Sequence, residues 1–306
     1  MTRGKFRFII LSMLLFAILT PLKGVADIDP ALIQEELLKT QSGASYTTIN
    51  EINGKQYITY AQNSPDWGEL TAGVKANTRI KSSFCAVFSL SNIIVNSVPY
   101  SELNTLNALM IREPCFDTKT VAHNKGYKQK YKFVVRSEED YLRYYPLCLA
   151  NLVSGNAKIS VGETRSRGYY KRILKEYGLQ YTETKKMSEC IEYVRQGAYA
   201  SVCTGGTNSP IAPNFGHYFV MVYADDNYVY FLDSMFRDEY PKDKEHVIEI
   251  LSPGLYRVAI ENVNKLAITG TKIIVWPKAN RTEYTKEMLE EAIKKSNENI
   301  PKRTGE

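Results

Sequence analysis

Two hydrophobic periods recur along the chain and divide it into strands and helices. Alternating apolar and polar residues on both sides of Asn53-Gly54, a dipeptide typical of tight turns, predict a β-hairpin over residues 46–60. A continuous apolar stretch with serine and asparagine at its polar positions predicts a buried helix from Phe84 to Asn96, with the two preceding serines as N-cap residues. A shorter amphipathic pattern predicts a helix over residues 30–39.

The second half of the chain alternates between helical patterns that end at glycine and short apolar strands. Gly178 and Gly197 follow two such patterns, and glycine commonly ends a helix. A loop rich in glycine, proline and asparagine covers residues 204–216. This mixture of elements predicts an α+β fold. The predicted helices cover 167–178, 189–196 and a charged segment from 283, and the predicted strands cover 198–203, 217–223, 228–233, 256–260 and 271–276.

The first 26 residues have the pattern of a secretory signal peptide. Basic residues precede an apolar run from Phe8 to Leu19, and Gly24-Val25-Ala26 places small residues where a signal peptidase cleaves. The uncharged stretch is shorter than the roughly 20 residues that span a bilayer. We therefore expect cleavage after Ala26, a secreted or cell-envelope location, and no stable membrane insertion afterwards.

The net charge falls almost to zero once this segment is removed. The whole chain carries +6, but residues 1–26 hold four basic and no acidic side chains, which leaves 35 basic against 33 acidic residues. A near-neutral protein has no basic surface that would favour nucleic acid as a partner.

The patterns suggest four segments. We expect a signal peptide over 1–26, an N-terminal extension with a helix and the hairpin over 27–72, a main domain over 73–280, and a C-terminal helix and tail over 281–306. No internal repeat of the solenoid kind is present in the sequence.

Five cysteines are an odd number for an exported chain, so one thiol stays unpaired if the others form disulfides. Cys85 lies at the start of the predicted buried helix, where free N–H groups and the helix dipole lower the pKa of a thiol. Cys85 is therefore the candidate nucleophile, and the alternative is a small buried core cysteine. Cys115, Cys148, Cys190 and Cys203 lack this setting, and their pairing stays open.

His217 is the candidate base among the three histidines, because it ends the glycine-rich loop and opens an apolar strand. His123 and His246 lie in polar segments typical of a surface. If the next two strands form a hairpin about Asp225, His217 lies directly opposite Asp233, with Cβ atoms roughly 4.5–5.5 Å apart. A carboxylate at that distance holds an imidazole nitrogen. A chance surface pair is the alternative interpretation.

Other kinds of site lack their residues in this sequence. Three dispersed histidines, with no CxxC or HExxH motif, give no reason to expect a metal. Neither a phosphate-binding GxxxxGK[ST] loop nor a GxSxG elbow occurs. We therefore expect no metal and no cofactor.

Three stretches resemble the papain-like cysteine peptidases of the bacteriocin-processing (C-thirty-nine-like) group. The stretch SFCAVFSLSNII from Ser83 is similar to the helix that carries the nucleophile in this family. The stretch CIEYVRQGAYASV from Cys190 is similar to the helix and strand before the base, and GHYFVMVYADDNYVYFLDS from Gly216 to the segment that carries histidine and aspartate. The resemblance covers residues 77–240.

The resemblance implies a papain-like fold, in which the helix of the nucleophile packs on an antiparallel sheet that carries histidine and aspartate. It implies Cys85 as nucleophile, His217 as general base and acid, and Asp233 as the residue that orients His217.

The sequence departs from the family near these residues. Arg79 stands where the family has the glutamine that stabilises the oxyanion, and Asn77 and Ser83 are the polar candidates nearby. Ala86-Val87 replaces the Gly-Pro after the nucleophile, and Ser234 replaces the proline after the aspartate.

The loop before His217 is expected to border the substrate cleft, with Gly205, Gly206, Asn214 and Gly216 as candidates. We expect a secreted cysteine peptidase that acts on a peptide or protein substrate. Two alternatives stay open. One is a catalytically inactive extracellular binding module that keeps the papain-like frame, and the other is a transglutaminase-type acyl transferase with the same order of cysteine, histidine and aspartate.

Overall fold

The computed structural model describes a protein of the α+β class, as the sequence predicts, with one large antiparallel sheet and helices on both of its faces. The expected signal peptide, the predicted helix over 30–39, four residues discussed above and the end of the tail lie outside the described residues. Those four residues are Asn77, Cys115, His123 and Asn214. The described residues are 47–64, 67–68, 71–72, 78–106, 116–117, 130–131, 138–155, 167–212 and 215–298.

The predicted hairpin is present. Its turn residues Asn53 and Gly54 have φ angles of 50° and 71°, the left-handed conformation that a two-residue hairpin turn requires. The two hairpin strands are β1 (Thr47–Ile52) and β2 (Lys55–Tyr60), and Thr47 lies opposite Tyr60 across the pair.

A second small sheet has four strands of two residues each, in the spatial order β4-β3-β5-β6. These strands are β3 (Thr71–Ala72), β4 (Thr78–Arg79), β5 (Phe116–Asp117) and β6 (Lys130–Tyr131).

The large sheet has seven strands, and all of its pairs are antiparallel. In chain order they are β7 (Gln180–Thr184), β8 (Tyr199–Thr204), β9 (His217–Ala224), β10 (Tyr228–Leu232), β11 (Ile248–Ser252), β12 (Leu255–Ala259) and β13 (Ile268–Trp276). Their order in space is β11-β12-β10-β9-β8-β13-β7, which places β9 at the centre.

Helices cover both faces of this sheet. One face, with Val220 and Val222 of β9, packs against the hairpin and the first long helix. The opposite face, with Phe219 and Met221, packs against the helix before β8. The helices are α1 (Ile80–Ser83), α2 (Cys85–Val95), α3 (Glu138–Gly155), α4 (Arg167–Glu176), α5 (Met187–Arg195) and α6 (Lys286–Glu298), with 3-10 turns at Tyr100–Leu106 and Ile260–Leu266.

Two buried asparagines join α2 to the open edge of the hairpin. The Asn96 side chain accepts a hydrogen bond from the Ile58 N–H and donates one to the Ile58 carbonyl, both of 2.8 Å. One helical turn earlier, Asn92 accepts from the Tyr60 N–H at 3.1 Å. These amides take the place of a third strand beside β2. The hairpin is therefore integrated with the helix that begins at Cys85.

The start of α2 differs from the expected capped start. Ser82 and Ser83 do not cap it, because they belong to α1, and the Ser82 hydroxyl donates to the Arg79 carbonyl at 3.0 Å. Phe84 is the N-cap residue of α2, with φ −99° and ψ 16°, and it makes no side-chain cap hydrogen bond. The backbone therefore bends just before Cys85.

Candidate active site

Cys85 is the first residue of α2 and remains partly exposed. The ten residues that follow it, from Ala86 to Val95, are all buried. A thiol at the N-terminus of a buried helix is close to main-chain N–H groups and to the positive end of the helix dipole, both of which favour a thiolate.

His217 and Asp233 form a buried pair. The His217 Nε2 atom lies 2.6 Å from Asp233 Oδ1. The two residues are 3% and 1% exposed. Since Nε2 is held by the carboxylate, Nδ1 is the ring nitrogen left for the hydrogen bond that His217 makes with Cys85. The structure thus brings together the three residues that the sequence analysis selected.

The expected register of the β9–β10 hairpin was wrong. The turn spans Asp225–Tyr228, where the Asp225 carboxylate accepts the N–H groups of Asn227 at 2.8 Å and Tyr228 at 2.7 Å. A bulge then shifts the pairing by one residue. Asp233 follows the end of β10, and continuing the register places it diagonal to His217 rather than opposite.

The diagonal arrangement still keeps the pair together. Residues two apart on neighbouring strands share a face, and their side chains reach each other when one of them is long. The imidazole supplies that length, so the pair forms despite the shifted register.

Asp233 is held by groups that the sequence analysis missed. The Met235 N–H donates to Oδ1 at 2.9 Å, and the buried Tyr240 hydroxyl donates to Oδ2 at 2.7 Å. The Asp233 N–H donates to the Gly254 carbonyl at 2.9 Å. Nothing in the spacing marks Tyr240, because it reaches the carboxylate from an irregular segment after β10.

Arg237 connects this network to the loop before His217. Its guanidinium lies 5.2 Å from the centre of the Tyr240 ring and donates to the Ile211 carbonyl at 3.0 Å. Its positive charge also favours the carboxylate form of Asp233. The aspartate and the loop are therefore positioned by one side chain.

Burial opposes every charge in the triad, and the partners outweigh it. Burial disfavours the Cys85 thiolate, but the His217 hydrogen bond and charge and the amides of Tyr218 and Ala86 lower the pKa of the thiol below its usual value. Burial likewise disfavours the imidazolium, but the carboxylate of Asp233 raises the pKa of His217 to about 10.

For Asp233, the charge and the hydrogen bond of His217 overcome burial and lower the pKa of the carboxyl. The three shifts therefore all favour the charged forms, a thiolate, an imidazolium and a carboxylate.

The other described cysteines differ from Cys85. All four described cysteines are free thiols, so none of the disulfides left open above forms among Cys148, Cys190 and Cys203. Burial raises the pKa of Cys148 beyond the usual thiol range and that of Cys190 to about 12. Cys203 is partly exposed and lines a cavity beside the site.

This cavity has a volume of about 210 Å³ and no charged side chain in its lining. Two of its lining residues, Tyr170 and Tyr218, contact the segment of the nucleophile. Tyr170 of its wall donates a 2.6 Å hydrogen bond to the Ala86 carbonyl, and Tyr218 contributes the amide that contacts the Cys85 sulfur. Ser201, Cys203 and Ile273 complete much of the wall.

The remaining candidates have mixed outcomes. Ser83 ends α1 two residues before Cys85 and is partly exposed, as is Arg79 at the start of α1. Gly205 lies at the base of the loop, where an added Cβ atom would come within 3.0 Å of the Phe215 carbonyl oxygen. Gly206 has a φ angle of 95°. Gly216 directly precedes His217 and is partly exposed.

Within the described ranges, no group of three or more histidine, cysteine or acidic side chains is placed to hold a metal ion. The helices of the same ranges include none that is both long and apolar enough to span a membrane. No protein-family model, no curated protein and no solved structure matches this chain. The functional argument therefore depends on the geometry of the site.

Proposed function

We propose that this protein is a papain-like cysteine peptidase, exported from the cell, that hydrolyses peptide bonds with Cys85, His217 and Asp233. The main support is the arrangement of the three side chains. The partly exposed thiol of Cys85 lies at a helix start and is hydrogen-bonded to the His217 imidazole, whose Nε2 lies 2.6 Å from Oδ1 of the buried Asp233 carboxylate. A nucleophile, a base and a group that orients the base are the parts that nucleophilic catalysis requires.

The placement of the triad also supports the papain-like arrangement. Cys85 is on α2, which packs on the face of the large sheet that contains Val220. His217 opens the central strand β9, and Asp233 follows the neighbouring strand β10. The nucleophile and the base thus come from separate layers that meet at one end of the sheet.

The chemistry proceeds in two stages. The Cys85 thiolate attacks the carbonyl carbon and forms a C–S bond, while the carbonyl π electrons move to oxygen. His217 gives its proton to the amide nitrogen as the C–N bond breaks, and the amine leaves. Water then attacks the thioester, His217 takes a proton from it, and the acid is released with Cys85 restored as a thiolate.

Stabilisation of the oxyanion is assigned to the start of α2. The N-cap residue Phe84 makes no side-chain hydrogen bond to the first-turn amides, and Cys85 lies at the positive end of the helix dipole, where a carbonyl attacked by its sulfur would also lie. Ser83, two residues before Cys85, is the other candidate donor, and Arg79 stands where the resembling family has its glutamine.

The cavity beside Cys85 suggests the kind of residue that the site accepts. With about 210 Å³ and an uncharged wall of tyrosine, serine, cysteine and isoleucine, it fits an uncharged side chain of a peptide. An acidic or basic side chain would be buried there without a partner of opposite charge.

Alkylation by iodoacetamide tests the nucleophile without knowledge of the substrate. We expect Cys85 to be modified first near neutral pH, and we expect His217→Ala to remove this preference. Cys203→Ala is the matched control for labelling, because it removes a partly exposed thiol that lines the neighbouring cavity but takes no part in the proposed bond-making steps. Equal labelling of Cys85 and Cys203 in the wild type would refute the proposed mechanism.

A peptide library then tests the reaction. Cys85→Ala should reduce hydrolysis at least about a thousandfold. A protein whose biological activity survives this substitution is instead the inactive binding module, which the arginine at position 79 favours. Amide formation with an added amine, rather than hydrolysis, would identify the acyl transferase.

A further inference from the structure

Gln62 lies between the segment that leads into Cys85 and the segment that contains Asp233. It follows β2, is 2% exposed and has no charge. Its main-chain N–H donates to the Ser234 carbonyl at 2.6 Å. Its side chain donates from Nε2 to the Ile80 carbonyl at 2.8 Å and accepts from the Ser234 hydroxyl at 3.4 Å.

The bond to Ile80 leads to the nucleophile. The Ile80 carbonyl also accepts the N–H of Phe84 at 3.2 Å, and Phe84 directly precedes Cys85. The Ile80 carbonyl oxygen therefore accepts two hydrogen bonds. One comes from the Gln62 side-chain amide, and the other comes from the N–H of Phe84, where the backbone bends into α2. Phe84 is fully buried, so a shift of this carbonyl is transmitted to the start of the helix.

The bonds to Ser234 lead to the aspartate. Ser234 is the residue after Asp233 and is 1% exposed. The next residue, Asn63, strengthens the same junction, because its side chain donates to the Phe236 carbonyl at 3.1 Å and accepts the Phe236 N–H at 3.2 Å. The segment after β2 is thus paired with the segment after β10.

We propose that Gln62 is a positioning residue, which sets the spacing between the start of α2 and the segment of Asp233. This spacing holds the Cys85 sulfur within hydrogen-bond distance of the His217 ring. The sequence distance explains why the pattern did not reveal it. Gln62 lies 18 residues from Ile80 and 172 from Ser234. This inference rests on the proposed role of the Cys85–His217 pair.

Gln62→Met tests the proposal, because methionine keeps the volume and removes both side-chain hydrogen bonds. The rate of Cys85 alkylation by iodoacetamide is measured from about pH 5 to about pH 9, with the unfolding midpoint in urea measured in parallel. We expect the pKa of the Cys85 thiol, as read from the pH profile of alkylation, to rise by about 0.5 to 1 unit. The alkylation rate near pH 6 then falls about three- to tenfold.

Asn50→Ala is the matched control. Asn50 is a buried amide, 4% exposed, which donates to Thr48 and Thr59 at 3.1 Å and accepts from Ser252. Its loss should lower the urea midpoint and leave the alkylation profile unchanged. The comparison separates positioning of the triad from general destabilisation.

Gln62→Glu covers the case in which the methionine variant does not fold. Glutamate keeps the shape and the acceptor for Ser234, and its protonated form still donates to the Ile80 carbonyl. The glutamate variant should therefore approach the wild-type alkylation rate at low pH and fall below it as the carboxyl ionises.

The outcomes are distinct. A wild-type protein whose Cys85 shows an ordinary thiol profile contradicts the proposed function itself. A wild type with a low apparent pKa, together with Gln62 variants that share its profile, contradicts only the positioning role. A shifted profile in the Gln62 variants, but not in Asn50→Ala, supports it.

Discussion

Removing the Tyr240 hydroxyl should weaken the protein through a single charged hydrogen bond. The Tyr240 hydroxyl donates to Asp233 Oδ2 at 2.7 Å, and both residues are buried. Burial and the negative charge of Asp233 raise the pKa of Tyr240 well above its usual value, so the hydroxyl keeps its proton. In Tyr240→Phe, one oxygen of a buried carboxylate loses its donor.

The magnitude follows from the environment of the carboxylate. A hydrogen bond to a charged group contributes roughly 1.5–3 kcal/mol, and a buried charged acceptor that loses its donor lies at the upper part of that range. We expect the free energy of unfolding near pH 7 to fall by about 2–3 kcal/mol. Urea unfolding followed by tryptophan fluorescence measures this change.

The effect should depend on pH in a defined direction. The pKa of Asp233 is lowered in the folded protein, so its ionised form stabilises the fold above the unfolded value of about 3.9. This stabilisation is lost as the pH falls through the folded pKa. The deficit of Tyr240→Phe should therefore be largest near neutral pH and should shrink in acid.

Tyr230→Phe is the matched control for this prediction. Its hydroxyl donates to Asp225 Oδ2 at 3.2 Å, and both residues are partly exposed. An exposed pair of this kind contributes at most about 1 kcal/mol. Equal losses in the two variants, or a Tyr240→Phe deficit that does not change with pH, would show that burial of Asp233 does not determine the effect.

Four further substitutions test the surroundings of the triad and Asp233 itself by urea unfolding. Gly254→Ala should lower the free energy of unfolding by more than about 2 kcal/mol, because φ is 80° and the added methyl group overlaps the Phe236 ring. Gly270→Ala is its control, because φ is 69° but the space is open, and it should lower the free energy of unfolding by about 1 kcal/mol. Asn96→Leu should cost more than about 2 kcal/mol, since it leaves a buried N–H and carbonyl of β2 unpaired. The pKa of His217 is raised to about 10, so its protonation stabilises the fold below about pH 6.5 and is lost as the pH rises through about 10. Asp233→Asn should flatten this alkaline decline, and an unchanged decline would contradict the assignment.

Elements with a strong local signal were predictable from the sequence. Asn53-Gly54 marked the hairpin turn, and Gly178 and Gly197, with φ angles of 63° and 93°, ended two helices where expected. The strands β7 and β11 were missed. Both lie at the outer edges of the large sheet, and their residues are mostly exposed or half-buried, so they carry little apolar pattern.

The candidate site was predictable only as far as its residues had local character. Cys85 had a helix start, and His217 had a glycine-rich loop and an apolar strand. Gln62 and Tyr240 had no such marker, because each acts through contacts that only the folded chain creates. Tertiary hydrogen bonds of buried polar residues leave no periodic trace in a sequence.

The His217–Asp233 pair shows why a wrong register led to the right residues. The prediction used the parity of two strands, which fixes the face of each side chain, and a register, which fixes the partner. The Asp225 turn and the bulge after it changed the register, and together they kept both side chains on the same face. The prediction succeeded because the alternation of side chains along the strands places both residues on one face. The 2.6 Å contact between His217 Nε2 and Asp233 Oδ1 then depends on the length of the side chains. A pair held diagonally has less backbone constraint than an opposed pair, so the surrounding donors from Met235 and Tyr240 must supply the orientation that the ladder does not.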